Sequence, residues 1–199
     1  MRKAEIFLHH ELGPAVAELY RDMEAAYDKT AAALDFSCSG CSDNCCDSYF
    51  LHYTYTEWLY LWQGLKMLEE AELQMISEKA ADYVVTSEAV LARGERPVIM
   101  CPLNRDGLCA LYPYRLMICR LHGVPSSMTR PDGRRLNFPG CFRCQEQAKK
   151  EDSVTFLDRT NFFKRLVDLE LKLLAKQGAA VPKVKLTIAQ MIVKGPPFS

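Results

Sequence analysis

Apolar residues recur at helical spacing in three long stretches of the chain. In the first, Leu12, Val16, Leu19, Met23 and Tyr27 fall on one face. Ala15, Ala25, Ala26, Ala31, Ala32 and Ala33 favour helix, and Pro14 suits a first turn, so the pattern predicts a helix over 14–34. The second stretch opens at Thr54-x-x-Glu57, a capping-box pattern. Trp58, Trp62 and Leu65 form one stripe there, and Leu61, Leu65 and Leu68 another beside it. Helical pattern runs on to about Leu91 as two helices, with Gly64 a weak point, and Arg93-Gly94-Glu95-Arg96-Pro97 stops it. The third stretch predicts a helix over 154–176. Phe162, Leu166, Leu169 and Leu173 make one row and Phe163, Val167, Leu171 and Leu174 the next, a broad apolar face with Gly178 as its stop.

Between these helices the periodicity changes. Val98-Ile99-Met100-Cys101 and Leu108-Cys109-Ala110-Leu111-Tyr112 read as the arms of a hairpin around Asn104-Arg105-Asp106-Gly107. A second hairpin or loop is expected around Pro131-Asp132-Gly133, between Val124 and Phe138. Near the end, Val184, Leu186 and Ile188 alternate with Lys183, Lys185 and Thr187, which predicts an edge strand. The expected fold is mainly α: one domain over residues 1–199, with an irregular cysteine-rich, metal-binding cap and one or two small β-hairpins. The cap covers about 36–144.

Charge removes several function classes. The chain has 25 basic and 25 acidic side chains, so no basic excess exists to displace counterions from nucleic acid. Apolar runs fall well short of a membrane span. The 49% hydrophobic content excludes a disordered tail protein. The first ten residues hold a three-residue apolar run, Ile6-Phe7-Leu8, and then His9 and His10, which is not a signal-peptide pattern. The expected compartment is therefore the cytoplasm, where thiols stay reduced.

That expectation gives the nine cysteines their meaning. They fall in segments read as loops and turns rather than on helix faces, where a core-filling cysteine would sit. The first block, Cys38-x2-Cys41-x3-Cys45-Cys46, can turn two sulfurs to one ion, and Gly40 eases its turn. Cys45 and Cys46 are adjacent, so their side chains are expected to diverge and to serve different metals or different irons of a cluster. Cys101 and Cys109 would face each other across the first hairpin, with Cys119 ten residues later. Cys141-x2-Cys144 closes the series. Any one of these could be a buried small hydrophobe, but two C-x2-C pairs with a C-C pair point to metal. Four thiolates suit zinc and an iron–sulfur cluster alike.

The order of these motifs, with Cys101-Pro102-Leu103, Cys109-Ala110-Leu111-Tyr112-Pro113-Tyr114-Arg115 and Cys119-Arg120, resembles the YkgJ-type cysteine-cluster family. Those are zinc- or iron-chelating domains with eight recurring cysteines. Three departures are visible: one extra residue between Cys41 and Cys45, Leu116 in place of a proline, and no Phe after Cys101-Pro102. The resemblance implies Cys38, Cys41, Cys45, Cys46, Cys101, Cys109, Cys119 and Cys141 as metal ligands and leaves Cys144 as a ninth cysteine. It extends to flagellin lysine N-methylases, which carry a similar cluster.

Arg115 and Arg120 flank Cys119 and would lower thiol pKa values or form surface ion pairs. His52 and His122 are candidate extra ligands or structural histidines. Trp58 and Trp62 are expected in the core, and Arg130, Arg134 and Arg135 in a solvated basic loop. No phosphate-binding glycine loop, H-E-x-x-H or G-x-S-x-G is present. The expected function is thus a metal-binding protein, with an iron–sulfur cluster preferred over Zn2+ and a structural, redox or metal-handling role. Adjacent, crowded cysteines fit a polynuclear centre better than separate tetrahedral ions. The alternatives are an iron–sulfur-dependent lysine N-methylase-like enzyme and a zinc-stabilised interaction module with the helical body as its partner surface, a reading that an exposed apolar patch on the last helix would favour. Neither nucleic acid nor membrane is an expected partner.

Overall fold

A computed structural model describes residues 12–38, 45–151, 153–176 and 181–198. His9, His10, Cys41 and Gly178 lie outside the described residues. Within them the chain forms seven α-helices and two small sheets, which bears out a mainly α fold.

Helix α1 (Leu12–Ala33) buries Leu12, Val16, Leu19, Tyr20 and Met23 along one face. It ends in a hydrogen-bonded turn: Phe36 N–H donates to the Ala31 carbonyl at 2.9 Å and Asp35 N–H to Ala32 at 3.2 Å. Asp35 takes the left-handed φ of 45° that such a stop requires.

Helix α2 (Tyr55–Leu65) is the central rod, with Tyr55–Leu61, Gly64 and Leu65 all buried. Thr54 caps it, accepting from Glu57 N–H. Two of its free N-terminal N–H groups, on Tyr55 and Thr56, donate to the Glu170 carboxylate at 2.9 Å each. Gly64 is no defect: a Cβ there would lie 2.5 Å from the Tyr114 ring. Trp58 and Trp62 both donate their indole N–H to the Met191 carbonyl at 3.0 Å, so they tie the core to the C-terminal segment.

Helix α3 (Glu70–Ala92) buries a narrow stripe, Ile76, Ala80, Tyr83 and Ser87, and packs on α7 (Ile188–Val193). The expected edge strand near the C-terminus is reduced to one bridge, His52 with Leu186. Thr187 and Gln190 form a reciprocal capping box that starts α7 instead.

The first hairpin is shorter than expected. It pairs β1 (Asn104–Arg105) with β2 (Leu108–Cys109) across Asp106 and Gly107, whose φ values of 50° and 88° fit a two-residue hairpin turn. The segment 98–101 does not join it. Its partner is the first cysteine block: Ile99 N–H donates to Asp47 and Cys101 N–H to Cys46, and Ser48 bridges Val98. Helix α4 (Met117–Leu121) follows. The second hairpin is as expected, β3 (Ser126–Thr129) with β4 (Arg135–Phe138).

Helix α5 (Phe142–Ala148) was not expected. The last long helix, α6 (Thr160–Ala175), starts later than 154, because Leu157–Asp158 forms β5, parallel to β3. The Asp158 carboxylate accepts from Thr160 N–H at 2.9 Å at the helix start. Its apolar face is also narrower than expected. Leu166, Leu169 and Leu173 are buried, while Phe163, Val167 and Leu171 stay exposed.

Candidate metal centre

The cysteines come from separate elements. Cys38 follows the end of α1, with its sulfur 3.7 Å from the Tyr27 hydroxyl. Cys45 and Cys46 open a 3-10 turn, Cys45–Asp47. Cys101 follows the strand-like segment beside that turn, Cys109 lies on β2 and Cys119 on α4. Cys141 caps α5 and Cys144 lies on it, fully buried. Cys119 and Cys144 thus correct the expectation that every cysteine would be non-helical. Each described cysteine is a free thiol.

Their electrostatics divide them into two groups. Burial pushes the Cys101 thiol up to about 12, and Cys109 and Cys46 add to the rise. Cys109 is raised by burial and by Cys46. Cys119 is raised far above a normal thiol by burial, then by Cys101, Cys109 and Cys46. The charge of Cys46 therefore reaches the other three, although the four come from four segments of the chain. In the second group, burial pushes Cys144 up to about 11, with Cys141 and Cys38 contributing. The Tyr27 hydroxyl is raised by burial, by its bond to Cys38, and by the charges of Cys38, Cys141 and Cys144. Cys45 feels both Cys38 and Cys119 and stands between the groups.

The adjacent pair behaves contrary to expectation. The Cys45 and Cys46 side chains do not diverge but hydrogen-bond each other. That bond comes first among the causes that bring Cys46 down to about 6; Asn104 and the Arg115 charge assist against burial. Cys46 is the ready thiolate of its group, set among neighbours that hold their protons.

The flanking arginines do both things expected of them. Arg115 pairs with Glu24 at 3.4 Å, stacks over Tyr112, helps to lower the Cys46 thiol and partly opposes the rise at Cys109. Arg120 is buried, donates to the carbonyls of Arg115 at 2.7 Å and Pro113 at 2.5 Å, and lies over the Tyr20 ring. It braces the turn before Cys119. No motif in the sequence marks Asn104, Glu24 or Tyr27 as neighbours of the thiols.

The candidate histidines face other partners. His52 is buried with Nδ1 3.8 Å from Glu57, and its backbone pairs with Leu186. His122 packs edge-on against Phe50; burial and then Arg159 lower its pKa, and no cysteine is among the causes.

Among the described residues, which omit Cys41, no group of three or more His, Cys, Asp and Glu side chains is drawn close enough to hold an ion as it stands. No helix among them is long and apolar enough to cross a membrane. Comparison with protein-family models, curated proteins and solved structures returned no match.

Proposed function

We propose that the chain is a cytoplasmic metal-binding protein whose clustered cysteines chelate iron as an iron–sulfur cluster, in preference to zinc. One observation carries the reading. The charge of Cys46 raises the cost of ionising Cys101, Cys109 and Cys119, thiols that come from three other chain segments. A cation held among them would offset that cost, and nothing else in the group supplies so much positive charge. The donor set fits the purpose: sulfur only, unbridged, part-buried, with Asn104 and Arg115 beside Cys46 to support thiolate charge.

The preference for a cluster rests on numbers of thiols. The hydrogen-bonded Cys45–Cys46 pair sits between two cysteine groups, which suits several irons better than one tetrahedral ion. Cys144 belongs with Cys38 and Cys141 on this reading, as a ligand rather than a spare. The YkgJ-type resemblance points the same way, to a metal-chelating domain. A bound cluster supplies electron transfer or structural bracing. The chain's own part is to keep Cys46 deprotonated and to seat the other thiols from rigid turns. Free clustered thiols also suit a reducing compartment.

The test is anaerobic titration of the reduced full-length protein with Co2+, followed by displacement with Zn2+ or by iron and sulfide. The expected result is strong sulfur-to-cobalt charge-transfer absorption, saturating at a whole-number ratio and reduced in Cys46→Ser and Cys119→Ser. Absence of that absorption would contradict the reading.

A further inference from the structure

A second candidate site lies away from the thiols. A cleft of about 340 Å3 opens between the segment 51–54, α4 and α6. Its walls include Met117, Ile118, Leu121, Phe163, Val167 and Leu171. Phe163, Val167 and Leu171 are the outer row of α6 that the core leaves uncovered; Val167 is 50% and Leu171 60% exposed. The volume is at the small end of ligand cavities, which run from about 300 to 1,000 Å3.

Five ionisable groups also line it: His52, Tyr53, Glu57, Arg159 and Glu170. The two carboxylates already have hydrogen-bond donors. Glu170 accepts from Tyr55 N–H, Thr56 N–H and the Thr56 hydroxyl. Glu57 accepts from the Thr54 hydroxyl at 2.9 Å and Met117 N–H at 3.0 Å, and faces His52 Nδ1. Arg159 is not matched. It is only 7% exposed, and no carboxylate among the described residues pairs with it. Among the described residues its side chain has one hydrogen bond, from Nη2 to the Leu121 carbonyl at 2.6 Å, and a stack over Phe138. Its Nε is buried without a partner, as is His52 Nε2.

A buried guanidinium without an anion is costly, and natural interiors pair it. An apolar cleft whose unmet demand is for an acceptor selects its ligand by that demand. We infer that the cleft binds a small amphipathic monocarboxylate, its hydrocarbon part on α4 and α6 and its carboxylate on Arg159. The inference is independent of the metal reading, since no cysteine lines the cleft.

The experiment is calorimetric titration of the full-length protein with octanoate, octan-1-ol and octylamine. Octanoate is expected to bind saturably at one site, about tenfold or more tighter than octan-1-ol, with octylamine weakest. Arg159→Met should weaken octanoate by about tenfold or more and leave octan-1-ol unchanged. Arg159 also holds Leu121, so a second variant guards against loss of fold. Val167→Trp sits on the exposed row of α6 and should abolish octanoate binding while the thermal melt stays unchanged. Octanoate binding no better than octan-1-ol, preference for octylamine, or full binding by a folded Val167→Trp protein would overturn the inference.

Discussion

The backbone N–H of Cys101 donates to the carbonyl of Cys46 at 2.9 Å. The first and second cysteine blocks are therefore aligned by the main chain, not by their sulfurs. Substituting a sulfur should separate ligand loss from fold loss. Cys46→Ser is expected to change stability by less than about 1 kcal/mol, because the turn survives. It should still cut bound metal. Cys144→Ser buries a hydroxyl in a fully buried position and should cost about 1–3 kcal/mol. Denaturant unfolding of both apoproteins, with metal content of both holoproteins, checks the contrast.

Glu57 links α2, α4 and His52. Burial would raise its carboxyl pKa, but His52, Met117 N–H and the Thr54 hydroxyl together hold it below the ordinary value. A lowered carboxyl stabilises the fold fully above its unfolded value, and that contribution fades as pH falls through the folded value. Glu57→Gln should therefore cost about 1–3 kcal/mol near neutral pH. Its penalty should shrink in acid, below the ordinary carboxylate range. Urea unfolding at several pH values reads both effects; a penalty that stays constant with pH would count against this account of Glu57.

Glu170 reaches from α6 to the start of α2 and caps it with both oxygens. Glu170→Ala should cost about 1–3 kcal/mol, since it strands buried N–H groups. Glu170→Gln keeps one acceptor oxygen and should cost less. Thermal unfolding followed by circular dichroism gives the order.

Gly140 precedes Cys141 with φ of 85°, and a Cβ there would lie 2.4 Å from the Gly123 carbonyl oxygen. Gly133 has a similar φ of 80° but open space around it. Gly133→Ala should cost about 1–2 kcal/mol from backbone strain alone. Gly140→Ala should cost clearly more and should disturb the Cys38–Cys141–Cys144 group. Paired unfolding curves decide it; equal losses would mean that the close approach has no weight.

The helices that carry the core were legible because their apolar positions keep a 3.6-residue period, as Leu12, Val16, Leu19 and Met23 do. The Thr54–Glu57 cap was legible from spacing alone. Other elements were not. Phe142–Ala148 buries only Cys144, so no periodicity marks α5. The partner of 98–101 is the distant turn at Cys45, and local alternation cannot name a distant partner. The segment before α7 alternates like a strand, yet Thr187 and Gln190 stand at capping-box spacing, and the cap wins. At the site, the cysteine blocks were visible as motifs. Their division into two groups, and the placing of Cys144 with Cys38 and Cys141, come from folding alone. Glu170 and Arg159 carry no motif; their roles arise from what α6 packs against.

Metal held by the thiols would leave a direct chemical trace. The most direct measurement is iron, zinc and acid-labile sulfide, quantified with the visible spectrum, on full-length protein purified without oxygen. The account predicts iron with sulfide and broad absorption near about 400 nm, both diminished in Cys119→Ser. Zinc alone at a whole-number ratio would keep the thiolate centre but contradict the cluster. Protein free of metal, and unable to take it up after reduction, would contradict the claim itself.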